Sequence, residues 1–310
     1  MSEIVPEEST VSRETDALSG SYPGPSLIET GAATAAAVRS GKYPALPHPS
    51  STRVITVANQ KGGVGKTTST VNLAAALALQ GQRVLVVDLD PQGNASTALG
   101  VDHRSGAPST YQVLLSDLPL AEAVVPSAEN ENLWVVPATL DLAGAEMELY
   151  PLVAREWRLD RALRGYLGLT PHRFDYVFID CPPSIGLLTL NAFVAAQELL
   201  IPIQCEYYAL EGVSQLIRFL GMVRDNLNPS LRIGAILLTM FDGRTRLGAQ
   251  VAEEVRQHFG DTVLASVIPR SVRLSEAPGF GQTVLEYDPG SAGAQSYLSA
   301  ARELSDHPVR

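Results

Sequence analysis

Lys61-Gly62-Gly63-Val64-Gly65-Lys66-Thr67-Thr68 follows the β-branched run Val54-Ile55-Thr56-Val57-Ala58 and opens Thr67 to Gln80, an Ala/Leu-rich stretch without Pro or Gly. A strand, a glycine-rich turn and a helix in that order put the turn at the carboxyl edge of a sheet, where open α/β folds take their ligands. Gly62, Gly63 and Gly65 let backbone N–H groups approach phosphate oxygens with no Cβ in the way. The helix that follows adds its positive amino-terminal dipole. In such a loop Lys66 reaches the β- and γ-phosphates of a nucleotide, and the Thr67 hydroxyl ligates Mg²⁺. The strict GxxxxGK[ST] spacing is not met, because Gln60 stands six residues before Lys66. The form is KGGxGK[ST], with a second lysine, Lys61, at its start.

The chain holds 23 basic residues, yet only Lys42, Lys61 and Lys66 are lysine. Two of the three sit five residues apart in one loop. A compact ammonium on a thin stem enters a crowded phosphate cradle where a planar guanidinium is too broad. Both lysines therefore read as chemically required.

Outward from the loop, strands are expected at Val54–Ala58, Val84–Asp88, Leu133–Val136, Tyr176–Asp180, Leu199–Ile203, Ile233–Thr239 and Val263–Ile268. Helices are expected at about 66–80, 151–167, 186–197, 209–226, 246–259 and 291–304. Unbroken apolar runs such as Tyr-Val-Phe-Ile suit strands buried on both faces. The alternation predicts an α/β, single-domain P-loop fold: a mostly parallel twisted sheet with helices on both faces, over residues 53–310. Residues 1–52, rich in Pro, Ser and Ala, predict a disordered extension, with a weak Ala-rich helix from Ser26 to Ser40.

Two further strands end in acids. Tyr176-Val177-Phe178-Ile179-Asp180 is an apolar strand delivering a carboxylate that can hold an Mg²⁺-bound water. Val86-Val87-Asp88-Leu89-Asp90-Pro91-Gln92 offers two carboxylates at the end of the second strand, of which one is expected to face the phosphates. Asp90, at the entry to a Pro-Gln-Gly-Asn turn, is the candidate for orienting an attacking water and approaching the metal. Asp88 remains open as a capping or Mg²⁺-shell residue.

Composition excludes several classes. No run approaches the roughly 20 apolar residues of a membrane span, and the start Met1-Ser2-Glu3-Ile4 lacks a secretory pattern. Cys181 and Cys205 form no CxxC site. The cytoplasm is the expected location. Net charge is −10, but residues 218–273 carry eight arginines against five acids, leaving −13 on the remainder. A surface so divided confines anion contact to one face.

Together these residues resemble the ParA/Soj family of chromosome- and plasmid-partitioning ATPases. The resemblance runs over about 53–305. It includes Ala58-Asn59-Gln60 before the loop, Asp88-Leu89-Asp90-Pro91-Gln92-Gly93-Asn94, Asp180-Cys181-Pro182-Pro183-Ser184, Glu206-Tyr207-Tyr208-Ala209-Leu210-Glu211-Gly212, Asp242-Gly243-Arg244-Thr245, and Pro269-Arg270-Ser271-Val272-Arg273. The resemblance implies an ATP- and Mg²⁺-dependent hydrolase, slow alone and stimulated by DNA and a ParB-type partner. It implies an ATP-bound homodimer in which Lys61 contacts the partner subunit's nucleotide. Asp90 matches the family's catalytic aspartate, and Asp180 its Mg²⁺-site aspartate, beside Thr67. Adenine falls to Met240 and Pro269 to Ser271, where Ser271 stands in place of the Asn many members carry. Arg244 and Arg273 match arginines that bind double-stranded DNA without sequence preference, with Arg246 and Arg270 as supplements and the nucleoid as the site of action.

A membrane-associated relative of the MinD type shares the loop, but Leu298 to Asp306 is short, mildly acidic and weakly apolar. An iron–sulfur carrier would need paired cysteines. A positioner of another cargo on the nucleoid shares every motif and stays open. A DNA scaffold without turnover would need neither Asp90 nor Lys61.

Overall fold

Strands rich in Val, Ile and Leu with no polar alternation can only sit inside a covered sheet, and the computed structural model shows that arrangement over its described residues, 27–40, 43–207 and 209–307. The helices are α1 (Leu27–Arg39), α2 (Lys66–Leu79), α3 (Asn94–Ala98), α4 (Thr110–Leu115), α5 (Leu120–Ala123), α6 (Ala145–Leu149), α7 (Arg158–Leu169), α8 (Leu187–Ala195), α9 (Ala209–Asn226), α10 (Arg246–Phe259), α11 (Val272–Glu276), α12 (Val284–Tyr287) and α13 (Ala292–Asp306). The strands are β1 (Arg53–Val57), β2 (Val84–Asp88), β3 (Val125–Pro126), β4 (Leu133–Val136), β5 (Tyr176–Asp180), β6 (Glu198–Gln204), β7 (Arg232–Phe241) and β8 (Val263–Pro269).

They form one sheet in the order β3-β4-β2-β5-β1-β6-β7-β8, parallel throughout except for the short edge pair β3 and β4. Alternate residues face two separate cores. Val54, Leu85, Val87, Val177 and Ile179 pack with Leu159, Phe193, Leu216 and Val255, under α7 to α10. Ile55, Val57, Val84, Val86 and Phe178 pack with Leu73, Leu77, Tyr297 and Leu298, under α2 and α13. Register fixes the site: Val57 lies beside Asp180, and Asp180 beside Asp88, so β1, β5 and β2 end together.

At the opposite rim Arg53 and Glu198, 4% and 3% exposed, form a forked pair at 2.9 and 2.8 Å. The same guanidinium donates to the Leu304 carbonyl at 2.7 Å, tying α13 to the start of β1.

Several expectations shift. The helix foreseen at 151–167 starts at Arg158, because Ala154 takes a left-handed turn (φ 51°) that breaks the earlier part. β3 and the four- to six-residue helices α3 to α6, α11 and α12 were not foreseen; each is shorter than one period window. Residues 1–26, 41 and 42 of the expected extension lie outside the described residues. Residues 43–52 run against the sheet: Leu46 is buried, and its backbone is held by the Gln80 carbonyl and the Gln82 side chain.

Candidate nucleotide site

The loop after β1 leaves Gly62 and Gly63 exposed and turns Val64 inward. Val64 is buried and its carbonyl accepts from Thr239 Oγ1 at 2.8 Å, which clamps the loop to β7. Gly63 and Gly65 hold positive φ, 72° and 85°, where a side chain would strain the turn. A Cβ on Gly62 or Gly63 would meet no protein atom within 4 Å and would enter the cavity those residues line. The first turn of α2 carries no acid of its own.

Lys66 is buried at the head of α2, and its Nζ donates to the Lys61 carbonyl at 3.3 Å. Burial pulls its pKa down, offset in part by Asp180 and Asp90. Asp180 is fully buried; Thr67 Oγ1 donates to one oxygen at 2.7 Å and Thr70 Oγ1 to the other at 2.9 Å. Burial and then the Asp88 charge raise its carboxyl to about 8. Asp88 is equally buried, raised to about 6 by burial, and accepts from Ser96 N, Ser96 Oγ and Asp90 N. Asp90 accepts from Gln92 N at 3.0 Å and lines the cavity.

That cavity, about 750 Å³, is walled by the loop, by Asp90 to Gln92, by Pro182 to Ser184, and by Leu142, Ala143 and Glu146. A narrower cleft of about 440 Å³ continues from it through the shared Gly65, Thr67, Thr68, Asn94 and Met240 to Pro269, Arg270, Ser271 and Tyr297. Met240 sits there at φ 50°, a non-glycine conformation costing about 1–3 kcal/mol that tends to persist at functional sites. Loop, acids and predicted base contacts thus meet in one continuous space.

The AAA domain family model matches residues 52–233. The sporulation initiation inhibitor protein Soj of Bacillus subtilis is 51% identical over 253 residues, covering 82% of this chain and 98% of that protein. This chain belongs to the Soj/ParA family of chromosome-partitioning ATPases. The chromosome partitioning protein ParA of Myxococcus xanthus is 52% identical, over 81% of this chain and 87% of its own. Among solved structures, cobyrinic acid a,c-diamide synthase from Mycobacterium smegmatis, with bound ATP analog and magnesium, is 43% identical at TM-score 0.65, covering 74% of this chain and 93% of that one.

Beside the Soj/ParA motifs the structure adds partners that no motif contains: Thr70 on Asp180, Ser96 on Asp88, Thr239 on the loop and Tyr297 in the wall of the narrower cleft. Lys61 Nζ pairs with Glu206 at 3.1 Å, both side chains well exposed. Arg244 and Arg270 lie in the loops after β7 and β8, Arg246 opens α10 and Arg273 lies in α11, and the two loops are joined by Arg270 N donating to the Phe241 carbonyl at 3.1 Å. Arg244 forks onto Asp242 at 2.9 Å, and Arg273 pairs with Glu276 at 3.1 Å and Asp288 at 3.4 Å. Arg246 and Arg270 are exposed and make no ion pair among the described residues. Burial pushes Cys181 up to about 12 and Cys205 to about 11, which leaves both thiols unreactive. No helix among the described residues is long and apolar enough to cross a membrane, and the apolar side of α13 is buried on the sheet.

Proposed function

We propose that this chain is an ATP-dependent dimerising ATPase that binds double-stranded DNA without sequence preference and segregates chromosomes with a ParB-type partner, in the cytoplasm on the nucleoid. The observation that carries the reading is the continuous cavity from Lys66, Thr67 and Asp180 to Met240 and Ser271, in a chain of this family. The donor chemistry fits Mg-ATP. Lys66 has three N–H donors and one acceptor among the described residues, so two remain for phosphate oxygens. A threonine hydroxyl and a carboxylate are the hard oxygen ligands Mg²⁺ takes beside phosphate and water. Magnesium supplies charge neutralisation on the phosphates. Asp90, steadied by Gln92, has the role of orienting the attacking water. The base sits against Met240 and Pro269 to Ser271.

Dimerisation through the cavity mouth is supported by exposed apolar side chains, Leu140, Met147, Tyr150 and Val153, on the segment that walls it. Lys61 directly precedes Gly62 of the cavity wall and has the role of reaching the partner subunit's nucleotide once it leaves Glu206. For DNA, Arg246 and Arg270 offer unpaired charge, while Arg244 and Arg273 exchange carboxylates for phosphates on binding.

The test is ATP turnover alone, with DNA, and with DNA plus the ParB-type partner. Turnover is expected to be slow alone and to rise in both additions; fast turnover by the isolated protein counts against the reading. With ATP bound, Arg244→Glu or Arg273→Glu is expected to lose salt-sensitive DNA retardation while keeping ATP binding. Unchanged retardation by both variants sinks the DNA face.

A further inference from the structure

At the amino ends of β2, β4 and β5, across the sheet from the phosphate loop, lies a second cavity of about 660 Å³. It shares no lining residue with the nucleotide cavity or the base cleft. Its floor is aromatic: Trp134 and Phe174 meet edge to face at 5.3 Å, and Tyr166 lies 6.0 Å from Phe174. Leu169, 86% exposed, stands at the rim with nothing to cover it among the described residues.

The polar groups are cationic. The Arg83 guanidinium lies over the Trp134 ring at 4.6 Å and over Phe174 at 5.7 Å. Its Nε is buried and has no hydrogen-bond partner among the described residues. A buried donor without an acceptor is rare in folded proteins and marks a missing partner. Arg161 is exposed and makes no ion pair among the described residues. The one acidic lining residue, Asp117, is already spent on Arg158 at 2.6 Å. An apolar floor beneath unpaired positive charge selects an anion carried on an apolar body.

We infer that this cavity docks the chain's own acidic amino-terminal stretch, residues 1–16, whose apolar and acidic composition matches an aromatic floor beneath Arg83 and Arg161. Residues 1–16 hold five acids against one arginine, a side-chain charge of −4, and so complement the cavity. Reach is no obstacle. Eighteen residues separate Glu8 from α1, enough to span up to about 60 Å when extended, against about 50 Å across a compact chain of this length. The tether also keeps the segment at an effective concentration on the order of millimolar, so a weak intrinsic affinity suffices.

The experiment compares the full chain with a variant lacking residues 1–26, both carrying Trp157→Phe so that emission reports Trp134 alone. A synthetic peptide of residues 1–16 is titrated into each. The truncated protein is expected to bind it saturably with a change in Trp134 emission, and the full chain at least about tenfold more weakly, since its own segment competes. Arg161→Glu in the truncated protein, an exposed change with an unaltered circular dichroism spectrum, is expected to weaken the peptide at least about tenfold. A peptide with its glutamates replaced by glutamine is expected to bind as poorly. Trp134 emission indifferent to the peptide, or equal binding of the glutamine peptide, overturns the assignment. Self-association of the truncated protein that Arg161→Glu abolishes makes the occupant a second copy, which overturns it too.

Discussion

Glu206→Gln should tighten the ATP-bound dimer, because it removes the counter-charge that holds Lys61 in the single subunit. The pair is close, 3.1 Å, but the lysine is 38% and the glutamate 48% exposed. Water screens such a pair to between about 0 and 1 kcal/mol. Closing a two-fold dimer frees two lysines, so the substitution gains at most about 2 kcal/mol, or ~30-fold in the dimer dissociation constant. Had the pair been buried, release would cost several times more and ATP could not drive it readily. The low value suits a residue that must change partners. The assay is sedimentation of the ATP-bound protein in an Asp90→Ala background, which is expected to block turnover, with and without Glu206→Gln. The gain should be clear near 50 mM salt and shrink near 500 mM, where the screening length falls well below 10 Å. A dimer weakened by the substitution, or a gain indifferent to salt, refutes the reasoning. Weakening would mean that Glu206 serves the interface itself.

Three further outcomes follow from buried groups. Glu198→Ala leaves Arg53 charged and unpaired in the core, and should cost about 3–5 kcal/mol in chemical denaturation; Arg53→Met with Glu198→Leu should recover most of it, and equal losses would show that packing, not charge, matters there. Glu129 is raised from 4.5 to about 7 by burial, against bonds from Thr283 N and Oγ1. A raised carboxyl contributes its full stability below about 4.5 and loses it as pH climbs to about 7, at most ~3 kcal/mol. Glu129→Gln should flatten that slope, and parallel pH profiles for the two proteins would show that the carboxyl ionises freely. Thr70→Val deletes one of two hydroxyl donors to Asp180, so unfolding free energy should drop by about 1–3 kcal/mol and Mg²⁺-dependent nucleotide affinity should fall; Thr70→Ser should restore both, and a valine variant as tight as the parent would remove Thr70 from the site.

The parts of this fold visible in the sequence are those written locally. A strand such as Tyr176 to Asp180 announces itself in five residues, and the phosphate loop in eight. The partners that finish the site are far apart in the chain: Thr70 meets Asp180 across 110 positions, and Thr239 meets Val64 across 175. No pattern reader spans such distances without the fold. Asp88 and Asp90 make the point sharply, since in sequence they are two acids on one strand end. The structure separates them through Ser96, whose N–H and hydroxyl saturate one oxygen of Asp88 while Asp90 N takes the other. Asp90 has one donor, Gln92 N, and its second oxygen has none among the described residues. Three of the roughly four lone-pair sites of Asp88 are filled inside the fold, and the side chain is fully buried, which leaves it little with which to hold a water. Of the two acids, the one at position 90 is therefore the one with an oxygen left over at the cavity wall, and the residue that fills its neighbour is Ser96.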